Sequence, residues 1–207
     1  VAVVQQALQR TDIFHDRDGE AHYNVLSALI KSMRASDPNA ALYWLARMIT
    51  GGEDLTAIAR RLVIFASEDI GNADPRALAV ATDAAQAVAL VGLPEGRLSL
   101  AQAVTWLATS PKSNAAYLGI NAAMAEVKRS GALPVPLHLR SPSTREMREA
   151  GYGDGYLYPH DYPNAVVDQP CLPESLVGAQ YYEPSNRGDE KTISARMAWW
   201  HEKRKES

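Results

Sequence analysis

Between Leu55 and Arg76 the sequence dictates one helix, a sharp stop and the start of another, and the rest of the chain must be arranged around that joint. Leu55, Ile58, Leu62, Ala66 and Ile70 recur three or four residues apart, which sets them on one side of a helix and leaves Arg60, Arg61, Glu68 and Asp69 largely on the others. Gly71 can take the left-handed conformation that closes a helix, Asp74 can accept from the free N–H groups of the next one, and Pro75 fits its first turn. The turn is therefore specified by its own residues.

The same punctuation divides the chain up to Gly131. Val25, Leu29 and Met33, widened by Leu26 and Ile30, form one apolar stripe. Asp37-Pro38 repeats the cap-then-proline start, and Leu42, Leu45, Met48 and Ile49 carry the next face to Gly51-Gly52, so these two helices are expected to form a hairpin. After the joint, a helix from Pro75 to about Val91 is expected to turn Leu78, Ala81, Ala85 and Val88 inward. Gly92-Leu93-Pro94 breaks it, a helix resumes from Glu95 to Thr109 through Leu98, Ala101, Val104 and Ala108, and Ser110-Pro111 breaks it again. Ser113 caps a last helix with Tyr117, Ile120, Met124 and Val127 on one face. At the other end of this region Val4, Ala7 and Leu8 have helical spacing but no cap, and the segment is too short to be stable alone, which reads as the cut end of a preceding domain.

Beyond Gly131 the composition changes abruptly. Leu133 to Pro142 carries too many prolines for a helix, Thr144 to Ala150 can make a short one, and Gly151 to Pro163 is a tyrosine-studded loop expected to contain extended pieces. A final helix starts near Arg187, with Ile193, Met197 and Trp200 as its apolar stripe. The expected fold is thus mainly α: an antiparallel helical bundle over residues 15–131, then a smaller Pro/Gly/Tyr-rich unit over 132–207 ending in a helix, with residues 1–14 left over from a preceding region.

The chemistry these residues exclude is informative. A net charge of −3 over 207 residues gives no global attraction to nucleic acid or anionic lipid, so any such binding needs a local patch. The single cysteine, Cys171, fits a reducing compartment, and no apolar run approaches the roughly 20 residues needed to cross a bilayer. In Phe14 to Tyr23, Asp16 and Asp18 precede Gly19 as calcium ligands would, but Phe14 and Val25 stand where the first and last ligands belong, so a polar turn is expected instead. No phosphate loop and no Cys-x-x-Cys pair occurs. His201-Glu202 begins a zinc-protease pattern that Lys205 ends. Gly151, Gly153 and Gly155 resemble a dinucleotide fingerprint but lack the following helix. Cys171 with His138 or His160 has no local signature of a thiol–imidazole pair.

Two basic features remain. Arg140, Arg145 and Arg148, with Tyr158 and His160, combine charges that hold phosphates with rings that stack on bases. The alternative is a solvated charged face, because Glu146, Glu149 and Asp154 intervene. Trp199 and Trp200 sit beside basic residues in the last helix, one suited to core packing and the other to an interface.

Several phrases, in order and spacing, resemble the C-terminal part of the replication-associated recombination protein A (MgsA) family, AAA+ ATPases related to clamp loaders and to the Werner-helicase-interacting protein. They are Asp37 to Met48, Ile58 to Gly71, Pro111-Lys112-Ser113-Asn114, Pro136 to Arg140, Gly151-Tyr152-Gly153, Pro159 to Tyr162 and Tyr181 to Pro184. The resemblance implies a clamp-loader-collar-like bundle that assembles subunits, as a homotetramer, with Trp44, Arg60, Arg61, Trp106 and Trp199 as candidate interface residues. It implies that the ATPase core, with ATP and magnesium, lies upstream, residues 1–14 being the remnant of its lid, and that this region is itself non-catalytic. It further implies a cytoplasmic, nucleoid-associated parent, a DNA-dependent ATPase acting at forks or single-strand/double-strand junctions, with a single-stranded-DNA-binding protein as a partner. Two other classes remain: a stand-alone DNA-binding or protein-interaction module using the basic tyrosine loop, and a small enzyme using His138 and His160.

Overall fold

The structure, a computed structural model, describes residues 20–206, so the expected helix at Val4 to Leu8 and the polar turn at Phe14 to Gly19 lie outside the described residues. Eight α-helices follow: α1 (Glu20–Arg34), α2 (Pro38–Thr50), α3 (Leu55–Phe65), α4 (Arg76–Val91), α5 (Gly96–Thr109), α6 (Ala115–Ser130), α7 (Arg145–Glu149) and α8 (Glu190–Glu206). No strand occurs among the described residues, so the tyrosine loop is built from turns and 3₁₀ pieces rather than extended pairs. The chain divides into two compact units, one up to Tyr117 with residues 187–189, the other of Leu118–Asn186 and Glu190 onward.

In the first unit α5 touches α1, α2, α3 and α4, while α1 packs on α2 as the expected hairpin. Leu29 and Met33, Leu45 and Met48, Leu55, Ile58 and Leu62, and Phe65 fill the core with Leu100, Val104 and Leu107. Each such side chain contributes about 1.5–3 kcal/mol by leaving water. The stripes expected on α1, α2 and α3 are the buried ones. Two faces differ. Leu98 is 62% exposed and Ala101 half-buried, the core taking Leu100, Ala103, Val104, Leu107 and Ala108 instead. A helix packed by neighbours on several sides has apolar residues all round and no single stripe to read. On α4, Leu78 is exposed and Ala77, Ala81, Ala84 and Val88 are buried. With alanine at so many positions, spacing does not choose between neighbouring registers.

The joint is longer than a capped turn. After α3 the chain widens into a π-helical turn, Ala66–Ile70, and tightens into a 3₁₀ turn, Gly71–Ala73. Gly71 has φ +50° and ψ −131°, a backbone conformation open to glycine, and its N–H donates to the Ala66 carbonyl. A Cβ there would also stand 3.3 Å from the Ser113 carbonyl oxygen. Asp74 accepts from the Arg76 N–H at 3.2 Å, so the expected cap is present.

The second unit has little apolar interior. Val166, 7% exposed, is its one buried large hydrophobic side chain among the described residues. Its order comes from close backbone approaches and polar fastenings: a Cβ at Gly119 on α6 would meet the Tyr181 carbonyl oxygen at 2.6 Å.

Candidate interaction surfaces

The joint is fastened by charge. The Arg34 guanidinium at the end of α1 grips Asp69 through two hydrogen bonds of 2.6 and 2.9 Å, with Glu68 at 4.0 Å. The bond to Asp69 holds the Arg34 pKa above its ordinary value. The Ser113 N–H donates to the Asp69 carbonyl at 2.8 Å. Lys112 directs its ammonium onto the carbonyls of Ala108 (2.9 Å) and Ser110 (2.6 Å), satisfying the C-terminal end of α5, and reaches Ser36 at 3.3 Å. Burial lowers its pKa, partly offset by Asp69. On the other side Asp74, 3% exposed, pairs with Arg76 at 2.8 Å, and that guanidinium lies 5.2 Å from the centre of the Trp106 ring. Residues 187–189 close against the joint: the Asp189 N–H donates to the Ala73 carbonyl at 2.9 Å, and Gly188, with φ +51°, leaves no room for a Cβ against that same carbonyl. Glu68, Asp69 and Asp74 thus serve the architecture of the joint.

The other residues expected at an interface occupy varied settings. Trp44 is half-buried against the core, edge-on to Tyr43 at 5.0 Å and under the Arg47 guanidinium at 5.6 Å. Arg60 and Arg61 are exposed on α3, Trp106 is 37% exposed beneath Arg76, and Trp199 is 39% exposed on α8. The face of α6 expected from the sequence is solvent-facing: Leu118, Ile120, Met124 and Val127 are 55–64% exposed, and Tyr117 is exposed as well. A Tyr/Ile/Met/Val stripe at 3–4–3 spacing has the pattern of a helix–helix seam. Its spacing was legible in the sequence; its exposure was not.

The candidate DNA-binding residues separate into pairs. Arg140 donates to the Val135 carbonyl at 2.7 Å and stacks on Tyr152 at 5.0 Å, which makes it a brace of its own loop. Arg145 pairs with Glu149 at 2.8 Å across an exposed turn of α7. Arg148 is exposed and forms no ion pair among the described residues. Tyr158 and His160 pack ring against ring at 5.2 Å, both exposed. The three alternating glycines, at φ +81°, +82° and +75°, do not open an anion nest, because the intervening amides are taken: Gly153 donates to Leu137, Asp154 to Gly151 and Tyr156 to Gly153. His138 Nε2 lies 3.0 Å from the Pro170 carbonyl, and the Cys171 thiol faces the Gln169 carbonyl at 3.6 Å.

Two fastenings of the second unit carry no motif and were missed. Gln169 bridges the tyrosine loop with its amide, accepting from the Leu157 N–H at 3.3 Å and donating to the Gly155 carbonyl at 2.9 Å. Glu190, fully buried at the start of α8, accepts from the Tyr182 hydroxyl at 3.0 Å and the Ser185 N–H at 2.7 Å. No group of three or more His, Cys, Asp or Glu side chains suited to a metal occurs among the described residues, and no helix is long and apolar enough to cross a membrane.

Comparison with known proteins gives these surfaces a context. The family model described as MgsA AAA+ ATPase C terminal matches residues 35–201, and that of the AAA C-terminal domain matches residues 1–34. The boundary falls at the end of α1, although Leu29 and Met33 of that helix lie in the same core as α2 to α5. The chain is 52% identical to the replication-associated recombination protein A of Coxiella burnetii, over 89% of this chain and 42% of the relative. It is 49% identical to an uncharacterized AAA domain-containing protein of Mycobacterium tuberculosis (95% and 44%) and 46% identical to the replication-associated recombination protein A of Escherichia coli K12 (89% and 41%). The chain therefore spans less than half the length of the curated relatives it matches.

Proposed function

The chain belongs to the MgsA AAA+ ATPase C-terminal family, and on that premise we propose that it is the non-catalytic assembly and DNA-proximal region of an ATPase working in replication, recombination and repair at stalled forks. ATP and magnesium would be handled by a part of the parent outside this chain, and helices of this chain would hold copies together, as a homotetramer, so that their ATPase parts act in concert. The observation that carries the assembly reading is the exposed stripe Ile120, Met124 and Val127 on α6. An unpartnered apolar helix face of this kind marks a docking site. Light scattering after gel filtration at roughly tens of micromolar tests it. A multimer is expected, and a clean monomer would remove the assembly reading.

One observation favours a second reading, DNA binding by the tyrosine unit. Tyr158 and His160 form an exposed ring pair, and Arg148 offers a charge that no acid neutralises among the described residues. Stacking supplies about 1–3 kcal/mol per base, and phosphate contacts make binding fall steeply as salt rises. Fluorescence anisotropy with forked and single-stranded DNA at low salt is expected to give binding that Tyr158→Ala weakens. Undetectable binding at low salt would confine this chain to assembly and to protein partners such as a single-stranded-DNA-binding protein.

A further inference from the structure

After α6 the chain runs through Leu133-Pro134-Val135-Pro136-Leu137 into a 3₁₀ turn, Leu137–Leu139, and its exposure repeats every three residues. Leu133, Pro136 and Leu139 are half-buried, while Pro134, Val135 and Leu137 are exposed, the last two at 54% and 48%. Three residues per turn is the repeat of a polyproline II helix, and Pro136, with φ −52° and ψ +140°, lies near that conformation. The segment turns one edge inward and presents the rest to solvent as an apolar ridge.

The ridge is held from behind. Arg140 Nε donates to the Val135 carbonyl at 2.7 Å, its guanidinium lies 5.0 Å from the centre of the Tyr152 ring, and the Gly153 N–H donates to the Leu137 carbonyl at 2.9 Å. The carbonyls of Leu133 and Pro134 accept no hydrogen bond among the described residues. Neither proline has an N–H, so the segment cannot pair as a β-strand through alternating donors and acceptors. What it offers is acceptors beside aliphatic surface. A partner must supply donors set in flat apolar faces, which tryptophan and tyrosine combine in one side chain. Charge adds a second requirement. From Val127 to Arg145 there is no acid, and Lys128 is exposed without an ion pair among the described residues, so the partner's edge must be acidic.

We propose that Leu133–Leu137 is a docking strip for a partner protein that carries a groove lined with Trp or Tyr and edged by acidic residues. Pro134, Val135 and Leu137 pack between the partner's rings, whose N–H or O–H groups donate to the Leu133 and Pro134 carbonyls, and its acids face Lys128. Arg140 is a positioning residue: it fixes the strip in its extended form before the partner arrives, so little conformational freedom is lost on docking. The strip goes beyond the assembly and DNA readings and shares no residue with the α6 stripe or the Tyr158–His160 pair.

The test is methyl NMR of the chain labelled at Leu and Val during titration with two probes of this groove chemistry, an SH3 domain and a WW domain. The Val135 and Leu137 methyl signals are expected to shift. Pro134→Ala and Val135→Ala, both at exposed positions, are each expected to weaken binding about tenfold, as the loss of a central contact does. Lys128→Glu is expected to weaken it most at low salt. Arg140→Ala keeps every side chain of the ridge and is expected to weaken binding several-fold with the fold unchanged by circular dichroism; no effect would overturn its positioning role. No methyl shift with either probe at roughly millimolar concentration, or shifts that map elsewhere, overturns the strip. The mass by light scattering and the DNA anisotropy decide the other two readings separately.

Discussion

The two units solve the problem of order in different ways. The first buries a continuous cluster of Leu, Ile, Met, Phe and Ala side chains between five helices, and its polar groups secure the ends and the joint. The second has Val166 as its one buried large hydrophobe among the described residues and depends on side chains that stand in for backbone partners, Gln169 on the tyrosine loop and Glu190 at the start of α8. Burial is non-directional and tolerates a shifted register; a hydrogen-bonded fastening is directional and depends on one residue. The first unit should therefore respond most to lost volume, and the second to lost acceptors.

The largest expected effect lies in the first unit. Phe65, 1% exposed, ends α3 where the π-helical turn begins, and Phe65→Ala should cost about 3–5 kcal/mol in transfer and cavity terms. Urea unfolding followed by circular dichroism measures it. A cost below about 1 kcal/mol would mean that the core collapses around the missing ring, and the contrast between volume and direction would fail.

Glu190→Gln is the counterpart in the second unit and keeps volume nearly constant. The carboxylate uses one oxygen for the Tyr182 hydroxyl and the other for the Ser185 N–H. An amide has a single acceptor oxygen, so if that oxygen serves the Ser185 N–H, the Tyr182 hydroxyl must turn from donor to acceptor and the charge-assisted bonds are lost. The expected cost is about 1.5–3 kcal/mol, in the range of hydrogen bonds to a charged group. Hydrogen exchange should rise at Ser185 and along the first turn of α8. Unchanged exchange there would show that the packing of α8, rather than its acceptor, sets the order.

The same contrast explains what could be read from the sequence. The helices and caps of the first unit were legible because a stripe three or four residues apart, Asp37 before Pro38 and Asp74 before Pro75 act through nearest neighbours in the chain. The inward faces of α4 and α5 were not, since alanines at many positions and a helix packed on several sides leave no unique stripe. Arg34 with Asp69, or Gln169 with Gly155, join positions far apart in sequence through one polar contact each, and neither spacing nor composition records such a pair. The rings of Tyr158 and His160 were identified, whereas the bracing role of Arg140 required the position of Tyr152.

Asp74→Ala is the smallest effect and probes the one place where the first unit behaves like the second. The side chain is 3% exposed and accepts from the Arg76 N–H, which a helix start would otherwise leave to water. Its ion pair reaches an Arg76 side chain that is 73% exposed, so solvent screens most of that attraction, and the Ser110 hydroxyl stands at the 3.5 Å limit of a hydrogen bond. What remains is a helix cap, expected to cost about 1 kcal/mol in chemical denaturation, with the multimer mass unchanged. A loss of assembly without a loss of stability would make the joint part of an interface, because Arg76, released from Asp74, would no longer be fixed over the Trp106 ring.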